Sequence, residues 1–183
     1  GSGDFLATRR LLLANSQVGV GICRPLEKSA RYFANGDGDE LYFVQTGTGT
    51  LETLFGPLRY GPGDYVLIPR GTIYRVVPDE ASAGATPPLW LYFEGKSYIE
   101  IPKNFRNPYG QLRMDAPYSH RDFRRPERLP ERPASEVADR YTVVVKRGGH
   151  YYELIKTTDP LDVVGWDGTV YPIAFSIHDY QAK

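Results

Sequence analysis

The sequence has little of what most chemical sites are built from. One cysteine, Cys23, stands among 183 residues, which excludes an internal disulfide framework and a cysteine-built zinc cluster. A single thiol suits a reducing compartment, so a cytoplasmic location is expected. There are three histidines, His120, His150 and His178, and none lies two or four residues from another, so no local chelating pair exists. Charge of either sign is not in excess: 22 basic side chains balance 22 acidic ones. That balance argues against a nucleic-acid or membrane-surface binder, which needs a basic surplus. No apolar run approaches the roughly 18 residues of a membrane-crossing helix. The opening GSGDFLATRR lacks the charged-then-apolar order of a signal peptide, and Gly1-Ser2-Gly3 reads as an expression-tag remnant.

What the sequence does have is turns and rings. It carries 19 Gly and 15 Pro beside 14 Tyr and 8 Phe, the composition of many short strands. Val18–Arg24, Leu41–Gln45, Gly49–Leu54, Asp64–Ile68, Thr72–Val77, Leu89–Glu94, Tyr141–Lys146 and Tyr151–Ile155 all favour β-branched or aromatic residues. Each is bounded by Gly, Pro, Asn or Asp. Leu54–Leu58 reads as a hairpin turn, and Ser135–Arg140 is the one stretch with room for a helical turn or two. The expected fold is therefore all-β, a barrel or sandwich with few short helices. From His120 to Arg132 the composition shifts to five Arg among Asp, Glu and Pro. A solvated connector, its Arg side chains paired with Asp122, Glu127 and Glu131, fits this better than a basic contact site. The expected organisation is a β domain over 4–119, a connector over 120–138, and further strands over 139–183 that either complete the domain or lead on into something longer.

Two segments carry a recognisable pattern. Gly63-Asp-Tyr-Val-Leu-Ile-Pro69-Arg-Gly71-Thr-Ile-Tyr74 has the form G-x5-P-x-G-x2-(H). Upstream, Asn35–Gly49 supplies the acid and glycine of H-x-H-x3-4-E-x6-G, with Glu40 at the acid and Gly47 at the closing turn. Together they resemble the double motif of the cupins, whose fold is a β-barrel. In metal-binding cupins three of these places are histidines; here they fall at Phe33, Asn35 and Tyr74. Glu40 alone cannot replace such a donor set, so no metal site is expected in this chain. Asn35, Glu40 and Tyr74 remain as candidates to line a degenerate pocket. Tyr42, Tyr60, Tyr65, Tyr74, Tyr151 and Tyr152 read as barrel and interface packing, and Cys23 as a buried thiol. His150 after Gly148-Gly149 reads as a turn cap.

Longer blocks narrow the resemblance. NGDGDELYFVQTGTGTLET, YGPGDYVLIPRGTIYRV, FRNPYGQL, APYSHRDFRRP, VVVKRGG and DPLDVVGWDGTVYPIAF, running from about Ala34 to Phe175, resemble the front half of homogentisate 1,2-dioxygenase. The string around Trp166 is the most specific, because no fold requirement dictates it. The resemblance implies a cytosolic non-haem iron enzyme of tyrosine and phenylalanine breakdown, which opens homogentisate with O₂ to give maleylacetoacetate. It implies Fe(II) held by two histidines and a glutamate in a C-terminal catalytic half beyond this chain, and no catalytic or metal residue within it. It also implies homo-oligomers, trimers paired into hexamers, for which Phe105–Pro117 would offer subunit contacts. On this reading the chain is a scaffold and assembly domain, inactive alone. Two alternatives stand beside it: a free-standing, metal-free cupin-like protein that binds a small molecule, and an independent dioxygenase with an unrecognised site.

Overall fold

The computed structural model describes residues 3–80, 86–95, 139–161 and 172–177, together with the backbone of four two-residue strands. The strands are β1 (Arg10–Ala14), β2 (Val18–Cys23), β3 (Tyr32–Asn35), β4 (Asp39–Thr46), β5 (Gly49–Thr53), β6 (Gly56–Tyr60), β7 (Asp64–Ile68) and β8 (Tyr74–Pro78). They continue with β9 (Leu89–Gly95), β10 (Phe105–Arg106), β11 (Leu112–Arg113), β12 (Asp122–Phe123), β13 (Tyr141–Arg147), β14 (His150–Lys156), β15 (Trp166–Asp167) and β16 (Ile173–Ser176). No α-helix occurs among the described residues. Two sheets carry the fold, in the orders β1-β2-β9-β4-β7-β16-β10-β11 and β14-β13-β3-β8-β5-β6, beside a small β12-β15 pair. Strand β13 runs parallel to β3, and β16 runs antiparallel to β7. Chain beyond residue 139 therefore adds strands to both large sheets.

Local chemistry explains the turns that set this order. Asn15 accepts hydrogen bonds from the amides of Gln17 and Val18 at 2.8 Å each, closing β1 onto β2; a short side-chain carbonyl mimics a backbone turn in this way. Thr53 Oγ1 accepts from the Phe55 amide and donates to the Gly56 carbonyl, which folds β5 back on β6 at Leu54-Phe55. Gly148 and Gly149 both take positive φ, 60° and 75°, the requirement of a tight hairpin turn that matches strand twist. The Asp37 carboxylate accepts from both of their amides. That turn is thus capped by Asp37, whereas His150 simply begins β14 and is exposed. A carboxylate offers two acceptor oxygens to two outward-pointing amides, so it does what one imidazole nitrogen could not.

The strands expected from sequence are present with shifts of one or two residues at their ends. Eight further strands were not among them: β1, β3, β6 and β16, and the two-residue β10, β11, β12 and β15. Strand β6 opens with Gly56-Pro57, residues that signal a turn; proline is tolerated there because β6 is the last strand of its sheet. Residues 135–138, where a helical turn was expected to start, and most of the 120–138 connector lie outside the described residues.

The core lies between the two sheets. Strand alternation sends Glu40, Tyr42 and Val44 of β4 inward, toward Leu51, Leu58, Tyr60, Val66, Ile68, Tyr74, Val76 and Trp90. Phe5, which precedes the first strand, enters the same cluster and is fully buried. Rings fill the interior: Tyr60 meets Trp90 edge-on at 4.7 Å, and Tyr42 meets Trp90 at 5.3 Å. Burying several aromatic side chains, at about 25 cal/mol per Å² of apolar surface, is the main stabilising contribution here. Tyr65 is half-buried on the opposite face of its sheet, between Phe43 and Phe175.

Candidate functional site at the barrel centre

The two motif segments are tied together by their turns. Gly63 and Gly71 take φ of 85° and 81°, a region that disfavours any residue with a Cβ. The Gly71 amide donates to the Asn35 carbonyl at 2.7 Å, and the Arg70 amide donates to Asp39 Oδ1 at 2.8 Å. Strand register then places Glu40 opposite Ile68 and Phe33 opposite Tyr74. As a result, Phe33, Glu40 and Tyr74 converge inside the barrel. Tyr74 donates to Glu40 Oε2 at 2.7 Å, and its ring meets Phe33 edge-on at 5.7 Å.

Asn35 has a different task. Its side-chain oxygen accepts from the amides of Asp37 and Gly38, at 2.9 and 3.3 Å, and so holds the turn from β3 to β4. Of the three residues singled out in the sequence, Glu40 and Tyr74 bond to each other, and Asn35 braces the loop beside them.

The residue that sequence reasoning missed is Arg9. Its Nη2 donates to Glu40 Oε1 and to the Tyr42 hydroxyl. The guanidinium also lies over four rings, with its carbon 4.6 Å from the centre of Tyr92, 5.2 Å from Phe33 and 5.7 Å from Phe5 and Tyr42. Tyr42 and Tyr74 share a 2.8 Å hydroxyl–hydroxyl contact. Because the Tyr74 proton goes to Glu40, Tyr42 must be the donor to Tyr74, and its own oxygen receives Arg9. The four side chains close a ring: Arg9 to Tyr42, Tyr42 to Tyr74, Tyr74 to Glu40, and Arg9 again to Glu40. Every proton in it has one direction.

Electrostatics fix the charge states of this ring. Burial opposes the charge on Arg9, but Tyr42, Glu40 and Tyr74 around it outweigh that and hold its pKa well above the ordinary value. Burial pushes the Tyr42 phenol well up, helped by Glu40 and Cys23 against the pull of Arg9. Burial, then Glu40 and Tyr42, do the same to Tyr74. Both phenols therefore keep the protons that the ring needs. Cys23 is fully buried nearby, and burial pushes its thiol up to about 12, the behaviour of an inert thiol. A signal for Arg9 did exist: a buried glutamate without imidazole-bound metal needs some other cation.

A metal ion does not fit this arrangement. Glu40 has both oxygens engaged, one of them by a cation, and tyrosine hydroxyls kept protonated are poor ligands. Among the described residues no group of three His, Cys, Asp or Glu converges. His120 and His178 lie outside the described residues. Two surface clefts, of about 260 and 440 Å³, open elsewhere. The larger is lined by Leu6, Ala7, Arg31, Val144, Tyr151 and Glu153; neither includes Asn35, Glu40 or Tyr74.

A barrel with both motif turns and no motif histidines matches one family over most of its length. The description "Homogentisate 1,2-dioxygenase N-terminal" covers residues 14–177. The chain belongs to this family. A Saccharolobus solfataricus protein named a "putative dioxygenase" is 34% identical over 98% of this chain and 44% of its own length. The homogentisate 1,2-dioxygenase of Arabidopsis thaliana is 28% identical over 81% of this chain and 30% of its own length. That of Emericella nidulans is 27% identical over 97% and 36%. The chain thus spans less than half the length of these curated relatives. Among solved structures, a cupin-2 domain protein of Shewanella frigidimarina covers 48% of this chain at 15% identity, with a TM-score of 0.41. Arg9, at the centre of this homogentisate 1,2-dioxygenase N-terminal domain, precedes the matched residues 14–177.

Proposed function

We propose that this chain is the N-terminal scaffold and assembly domain of a homogentisate 1,2-dioxygenase-like enzyme. The whole enzyme uses non-haem Fe(II) and O₂ to open homogentisate to maleylacetoacetate, in the cytoplasmic breakdown of tyrosine and phenylalanine. The iron and the residues that act on substrate belong to the region beyond this chain. One observation carries the reading: the barrel centre, where a metal-binding cupin places its ligands, is filled by Arg9 and its ring of Glu40, Tyr42 and Tyr74.

The assembly role is supported at the sheet edges. Strand β1 leaves Leu11, Leu12 and Leu13 exposed, and β14 leaves Tyr151, Tyr152, Leu154 and Ile155 exposed. Both are terminal strands of their sheets. Unpaired strand edges with apolar side chains are liabilities in an isolated domain and assets where further protein packs against them. No helix is long and apolar enough to cross a membrane among the described residues.

Oxygen consumption tests the reading. With homogentisate and Fe(II), the whole protein consumes O₂ and forms maleylacetoacetate, and the 183-residue chain consumes none. Turnover by the chain alone would contradict the scaffold role, and a whole protein inert toward homogentisate would contradict the substrate.

A further inference from the structure

We propose that the barrel is built around an internal cation site, filled in cis by the Arg9 side chain, which takes a free guanidinium ion when that side chain is removed. The site has the composition of a cation receptor. Two acceptors, Glu40 Oε1 and the Tyr42 hydroxyl, converge on one guanidinium nitrogen. Four rings surround the planar carbon at 4.6–5.7 Å, and ring faces attract a desolvated cation. A delocalised, weakly hydrated, flat cation suits such a cage better than an ammonium.

The tether adds no bond of its own at the centre, since Arg9 Nε is buried with no hydrogen-bond partner. An untethered guanidinium therefore loses none of the contacts to Glu40 and Tyr42.

Delivery of Arg9 comes from outside the barrel strands. It ends a short turn in which Asp4 caps the Ala7 amide and Thr8 ties to the Arg24 backbone through its hydroxyl. Phe5 of the same turn is fully buried against Phe33 and Tyr74. This segment closes the barrel with one ring and one charge, and the strands supply the complementary negative site. Removing the charge leaves Glu40 buried and unpaired, which is far costlier than removing both partners.

The test is chemical rescue. Arg9→Ala lowers Tm by on the order of 10 °C. Guanidinium chloride at about 20 mM, far below the molar range where it denatures, then raises Tm of Arg9→Ala by roughly 3–6 °C over matched NaCl once the ion exceeds its dissociation constant about tenfold. The unsubstituted chain shows no such rise, and neither does Arg9→Ala/Glu40→Gln. Equal responses in the presence and absence of Glu40, or no response in Arg9→Ala, would overturn the proposal. Should Arg9→Ala not fold, Arg9→Met/Glu40→Gln decides. It must fold and be more stable than either single variant, and strictly additive losses would overturn the proposal.

Discussion

Tyr74 donates its phenolic proton to Glu40 Oε2 at 2.7 Å, across 34 residues of sequence. These are the acid of the first motif segment and the last position of the second, so one hydrogen bond joins the two halves. Tyr74 also accepts from Tyr42. Removing its oxygen therefore leaves one buried donor and one buried carboxylate oxygen without a partner.

Tyr74→Phe tests that double role. The variant keeps the ring contacts with Phe5 and Phe33 but strands two polar groups. A loss of about 1–3 kcal/mol follows, read from chemical denaturation. A change within a few tenths of a kcal/mol would mean the closed ring of protons contributes nothing.

Gly71 and Gly49 separate backbone strain from crowding. Gly71 has φ of 81° and open space where a Cβ would stand, so Gly71→Ala loses about 1–2 kcal/mol through its backbone alone. A Cβ on Gly49 would lie 2.2 Å from the Tyr60 hydroxyl and 2.5 Å from the Val77 carbonyl. Gly49→Ala must therefore move backbone and be the more damaging of the two, in the same denaturation assay. Gly71→Asn, which tolerates this conformation, recovers part of the first loss.

Cys23 reports on barrel integrity. Its thiol is fully buried and pushed up to about 12 by burial. At pH 8 the folded chain resists alkylation by iodoacetamide over hours, and denaturant releases one thiol per chain. Rapid labelling of the folded chain would show that the barrel opens beside Arg9.

Acid stability has a defined contribution at the surface. Arg59 clasps both Asp79 oxygens, and Thr48 donates to one, which lowers the Asp79 carboxyl to about 2. Unfolded, the same group titrates at about 3.9. A depressed folded value stabilises above the unfolded one, so this contribution is present above pH ~4 and is lost as pH falls from there toward 2. Both partners are solvent-exposed, so the effect is small and fades with salt. Asp79→Asn flattens that part of the stability–pH curve at low ionic strength, and an unchanged slope would contradict the pairing.

Much of the fold was legible because glycine, proline and aromatic side chains each have local consequences. Gly63 and Gly71 sit at positive φ, and β7 spans Asp64–Ile68 as its bounding turns require. Strand β6 was hidden because an edge strand tolerates the Gly-Pro that elsewhere ends one. At the centre, Glu40 and Tyr74 were legible from motif spacing, and Asn35 was legible as a position but not as a turn brace. Arg9 was not legible, because it belongs to no periodic pattern and reaches Glu40 over 31 residues. Only the physical demand of a buried carboxylate for a cation points to it.

Iron binding by the 183-residue chain is the most direct measurement. After incubation with Fe(II) under argon and desalting, elemental analysis should find well under one iron per chain, for the unsubstituted protein and for Tyr74→His alike. Arg9 still neutralises Glu40 in both, and Phe33 and Asn35 still stand where ligands are needed. One tightly held iron per chain, lost on Glu40→Gln, would show that the barrel centre is a metal site after all.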